Sequence, residues 1–81
     1  MIYKFETTKI TVPLGSKLLK IAVIDGITTS WVLIGEDKES YVTISIYYVG
    51  TGQDHVPPGG YFDTIFDRNY VWHYFVEYKY D

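Results

Sequence analysis

The stretch "YVWHYFVEYKY", Tyr70 to Tyr80, alternates without a break. Tyr70, Trp72, Tyr74, Val76, Tyr78 and Tyr80 fall on one side of an extended chain, and Val71, His73 and Phe75 fall on the other. A period of two is the signature of a strand. A strand apolar on both sides has to be central in a two-layer structure or lie against a second subunit. This segment points to an all-β protein.

The rest of the chain repeats the pattern. Asp67-Arg68-Asn69 reads as a turn and Tyr61 to Phe66 as the strand before it. Tyr41 to Val49 sets Val42, Ile44, Ile46 and Tyr48 on one face and Tyr41, Thr43, Ser45 and Tyr47 on the other. Trp31 to Ile34 is a short apolar strand, bounded by Thr28-Thr29-Ser30 and by the charged turn Gly35 to Glu39. Leu18 to Ile24 alternates Leu19, Ile21 and Val23 against Leu18, Lys20 and Ala22, and it ends at Asp25-Gly26, a strong hairpin signal. Ile2 to Thr8 and Lys9 to Val12 form an extended opening, closed by the turn Pro13-Leu14-Gly15-Ser16. The expected architecture is a single all-β domain over residues 1–81, a small antiparallel sandwich or barrel of five to seven short strands.

At 81 residues the chain buries a modest fraction of its unfolded surface, and with no cysteine it has neither a disulfide nor a thiolate zinc site to staple it. Its 47% hydrophobic and 19% aromatic content is a large apolar payload for that length, which predicts a homo-oligomer. A formal charge of −3 argues against nucleic acid as a partner, because such binders present a basic face. No apolar run approaches the ~20 residues of a membrane span, so no membrane partner is expected and the chain reads as soluble and intracellular.

Candidate chemistry is thin. His55, beside Asp54 in a loop, could act as a base or ligand, whereas His73 sits on an apolar face where a hydrogen-bonded structural role fits better. No histidine pair has metal-ligand spacing, so no metal and no cofactor are expected, and no serine has a nucleophile-elbow context. No catalytic residue is assigned. The loop "GTGQDHVPPGGYF", Gly50 to Phe62, is more informative, since it holds four of the seven glycines and two of the three prolines. Gly50-Thr51-Gly52 could offer successive N–H groups to an anion. Tyr47, Tyr48, Tyr61, Phe62, Trp31 and Trp72 offer flat rings on which a base or ribose can stack, with a core role the stronger reading for Trp72 and Tyr48. Arg68 and Lys20 are among the few cations able to meet a phosphate. The expectation is a loop that closes over a small anionic ligand at a subunit boundary, with Gly50, Thr51, Gly52, His55, Tyr61, Arg68, Trp31 and Tyr48 as its contacts.

The order "IYKFE", "TVPLGSKLLKIAV", "SWVLIG", "YYVGTG", "GGYFDTI", "VWHYFVEY" resembles a group of short uncharacterised proteins of bacteriophages and prophages. Those proteins carry a Gly-Thr-Gly-His element and a terminal Val-x-His-Val-Phe-Glu-like strand. Gly50, Thr51 and Gly52 match the first, and Val71, His73, Phe75, Val76 and Glu77 fit the second approximately. Where the group has His directly after the glycine element this chain has Gln53, with His55 two residues later. The resemblance implies a phage-encoded anti-defence protein in the host cytoplasm. By analogy with small oligomeric phage sponges, it implies sequestration, without cleavage, of a nucleotide immune signal, a cyclised ADP-ribose derivative or a cyclic oligonucleotide. The alternative is a virion component or an inhibitor of a host protein with no small-molecule ligand.

Overall fold

The computed structural model describes residues 1–80, which form seven strands: β1 (Ile2–Phe5), β2 (Lys9–Leu14), β3 (Lys17–Ile24), β4 (Ile27–Leu33), β5 (Asp37–Gly50), β6 (Gly60–Asp67) and β7 (Tyr70–Tyr80). They make two sheets, one ordered β1-β4-β3 and the other β2-β5-β7-β6, with every pairing antiparallel. The fold is all-β, as the alternation indicates, and of the sandwich or barrel expected it is a two-sheet sandwich of seven strands.

The inward residues of both sheets form one core, in which Val32, Val42, Ile44, Ile21 and Tyr74 are almost wholly shielded. β5 and β7 supply it in the expected phase, with Val42, Ile44, Ile46, Tyr74 and Val76 facing in. β3 departs from expectation. Its register against β4 slips between Leu18 and Lys20, so Leu19 is bulged outward and Leu18 joins Ile21 in the core. An extra residue on one strand inverts the phase beyond it. The bulge also changes where the Leu18 N–H points: it donates to Tyr78 Oη of the opposite sheet at 3.0 Å.

Several boundaries also move. β5 begins at Asp37, which pairs with Leu14, so most of the expected charged turn Gly35 to Glu39 is strand. The expected loop Gly50 to Phe62 shrinks to segment 51–59 between β5 and β6. The opening segment divides around Glu6 to Thr8, and its halves join different sheets. Pro13 lies within β2, which is tolerated because β2 is an edge strand and Pro removes a donor that an edge can spare. β4 begins at Ile27, with Thr28 to Ser30 inside it, because Asp25 (φ 51°) and Gly26 (φ 79°) make a two-residue hairpin turn that pairs Ile24 with Ile27 directly.

The loop after β5 has a topological reason for its length. β5 and β6 flank β7 on opposite edges and run the same way, so the connection must cross β7. Gly50 lies opposite Trp72 and Gly60 opposite Val76, so segment 51–59 spans about 10 Å across the sheet and about 13 Å back along it. Both ends are fastened. Thr51 N–H donates to Val71 O at 3.3 Å, Pro57 is buried, and Gly59, at φ 91°, lies so close to the Val76 carbonyl that a Cβ there would collide with it.

Candidate functional site

The alternation that builds the core also places a row of rings at one end of the sandwich. Tyr48 ends the inward face of β5, and Trp72 and Tyr74 continue that of β7. Gly50 is opposite Trp72, whose indole Cζ3 would be in ordinary contact, 3.4 Å, with a Cβ at that position. Trp72 meets the Tyr48 ring edge-on at a centroid distance of 5.4 Å, and Tyr70 stacks on Trp72 at 5.7 Å and 19°. Tyr48 lies 5.5 Å from Tyr74.

Between this row and the β3–β4 hairpin opens a cleft of about 120 Å³, with Val23, Gly26 and Thr28 on one side and Tyr48, Asp67, Trp72 and Tyr74 on the other. Tyr74 is its floor, 1% exposed, and its hydroxyl is hydrogen-bonded to Thr28 Oγ1 at 3.1 Å. Burial raises the Tyr74 pKa above its ordinary value against the lowering effect of the Thr28 bond, and Tyr48 and the Asp67 carboxylate raise it further. The mouth is apolar and open, with Tyr48 51% and Tyr70 61% exposed. A cleft well below the usual ~300–1,000 Å³ of a ligand pocket admits one ring rather than a whole drug-sized molecule. Its chemistry is stacking surface, one carboxylate acceptor and hydroxyls.

The opposite face of the same sheet carries a second polar group. His73 Nε2 is hydrogen-bonded to Thr51 Oγ1 at 2.8 Å and His73 Nδ1 to Thr64 Oγ1 at 3.1 Å, and Thr64 Oγ1 meets Tyr61 Oη at 2.6 Å. This chain of contacts ties the start of the β5–β6 crossover to β7 and β6. Two of the three N–H groups of the glycine element are also occupied internally, Gly50 N–H by Gln53 Oε1 at 2.6 Å and Thr51 N–H by Val71 O. Gln53, standing where the resembling proteins have His, caps the end of β5.

A family model described as a domain of unknown function, DUF7352, matches residues 2–81. The chain belongs to this family. No curated protein and no solved structure matches it. In this DUF7352 chain the eight sequence candidates therefore separate by geometry alone. Tyr48 lines the cleft, Gly50 lies opposite its Trp72 on β5 without lining it, and Arg68 follows Asp67 in the β6–β7 hairpin with φ 57°. Thr51 and Tyr61 lie on the opposite face of the sheet, joined through His73 and Thr64. Gly52 (φ 91°) and His55 are exposed in the crossover. Trp31 stands on β4, in register with Lys4 and Lys20 and pointing away from the core. Among the described residues no group of three His, Cys, Asp or Glu side chains could hold a metal.

Asp67, Trp72 and Tyr74 line the cleft but are absent from those eight. Asp67 was readable in principle, because a two-residue hairpin sets it opposite Tyr70 and so on the face of Trp72. Treating Asp67 to Asn69 as an undivided turn conceals that pairing. Thr28 has no such signal, since it reaches Tyr74 only through the packing of one sheet on the other.

Proposed function

We propose that the protein binds and sequesters a nucleotide-derived ligand without cleaving it, as a phage-encoded oligomer acting in the host cytoplasm. One ring of the ligand enters the cleft, stacks on Tyr48 and Trp72, and donates an N–H to the Asp67 carboxylate. The phosphates stay outside, near Arg68, which keeps a charged group out of a site that is already acidic. The observation that carries this reading is the open aromatic row: two exposed tyrosines packed on Trp72 beside a single carboxylate. The cleft holds only part of such a ligand, which fits completion of the site by a second copy. The analogy with phage sponges supplies the choice of probes.

Trp31 and Trp72 are the only tryptophans, so Trp31→Phe leaves Trp72 as the sole indole reporter. Titration of that variant with adenosine, ADP-ribose, cyclised ADP-ribose and cyclic dinucleotides should give a saturable change in emission for at least one of them. Tyr48→Ala should then weaken binding by about 1–3 kcal/mol. Heat denaturation should return the bound compound unchanged. A panel that leaves Trp72 emission untouched, or a ligand recovered in pieces, refutes the reading.

A further inference from the structure

The outer face of the three-stranded sheet has a composition unlike the rest of the molecule. Trp31 is flanked in direct register by Lys4 on β1 and Lys20 on β3, and Leu33 is flanked by Ile2 and Lys17. The three lysines are exposed, and Trp31 is half-buried. Ile2, Leu19, Ile24, Ile27 and Leu33 are 42–56% exposed. None of the ten acidic residues lies in β1, β3 or β4, whereas three of the seven basic residues do. In a chain of net charge −3, the three strands carry only positive charge, and the exposed acids next to them, Glu6 and Asp25, stand at the end of β1 and in the β3–β4 turn.

We propose that this face docks on an anionic lipid surface. The lysines meet the phosphates of the headgroups, Trp31 lies at headgroup level, and the aliphatic side chains reach the boundary of the acyl chains. Charge complementarity fixes the sign of the partner, and the aliphatic content fixes its kind. Single-stranded nucleic acid is held by several stacking rings in a basic groove, and this face offers one ring on a sheet surface. A protein partner anchors best in a pocket, and the cleft lined by Tyr48, Trp72 and Tyr74 lies elsewhere, between the sheets. The face is independent of that cleft, so the two proposals stand or fall separately.

Flotation of the wild-type chain with vesicles of phosphatidylcholine alone, and of equal parts phosphatidylcholine and phosphatidylglycerol, tests it. Binding is expected only to the second, weakening as salt is raised. Lys4→Gln and Lys20→Gln should each lower the partition by about fivefold, with circular dichroism unchanged. Acyl-brominated lipid should quench Trp31. Equal binding to both vesicles, or to neither, overturns the proposal. So does lysine-dependent binding to a thymidine oligonucleotide or to polyglutamate by a chain that ignores the anionic vesicles.

Discussion

Tyr78 and Tyr74 each carry a hydroxyl across the space between the sheets, and their partners differ in what depends on them. Tyr78 Oη accepts the N–H that the Leu18 bulge has turned away from β4. Tyr78→Phe strands that donor and should lower stability by about 1–3 kcal/mol in urea unfolding, well above the cost of losing a surface hydroxyl. Ser30 is the converse case, a hydroxyl with 0% exposure whose Oγ is buried without a hydrogen-bond partner. Ser30→Ala removes an unmet polar group while keeping the shape, and should leave the midpoint unchanged or raise it. Tyr74 adds a pH dependence. Its raised pKa means the folded chain holds the proton to higher pH than the unfolded chain does, so its contribution is fully present below pH ~10 and is lost as pH rises through the folded value. An alkaline stability profile should fall steeply above that point in the wild type and less steeply in Tyr74→Phe.

The crossover between β5 and β6 carries its constraint at Gly59. Its φ of 91° excludes ordinary side chains, and the Val76 carbonyl occupies the place of a Cβ. Gly59→Ala should therefore cost more than about 1 kcal/mol and expose Asp54 to Pro58 to protease before the sheets unfold. A variant as resistant as the parent would show that the end of the crossover is not held there. The strands themselves were legible wherever one face was continuously apolar, as in Val42-Ile44-Ile46 and Tyr74-Val76, because burial enforces phase. The Asp25-Gly26 turn was legible because only a narrow set of residues accepts left-handed φ at both positions. The Leu19 bulge was not, since Leu18, Leu19 and Ile21 are all apolar and either phase satisfies the pattern. Nor could the sequence say that β5 and β6 lie on opposite sides of β7, a long-range pairing that makes segment 51–59 cross the sheet. For the cleft, the rings on β5 and β7 were visible as a row, but which sheet faced them was not.

The whole molecule is thin for its length, 42 × 25 × 15 Å between Cα extremes, with a radius of gyration of 13.1 Å against about 11.7 Å for a compact domain of this size. Its surface of 5577 Å² also exceeds the roughly 5,000 Å² expected for a chain of this mass. A two-layer slab with no third layer leaves the outer faces of both sheets bare. The four-stranded sheet bears the larger rings there: Phe66 is 77% and Tyr61 61% exposed, and Tyr61 packs edge-on against a half-buried Phe75 at 5.9 Å. On that face Lys9 and Lys79 are offset by Glu77, and a suitable occupant is a second copy, which would bury those rings and thicken the slab. Light scattering at micromolar concentration should give a mass of more than one chain, and the thermal midpoint should rise with concentration, as it does when association and folding are linked. Phe66→Asp, at an exposed position of an edge strand, should shift the mass to a single chain while leaving the strand signal in circular dichroism intact. A wild-type protein of one-chain mass with a concentration-independent midpoint would mean that these rings meet water, and that the seven strands hold without a partner.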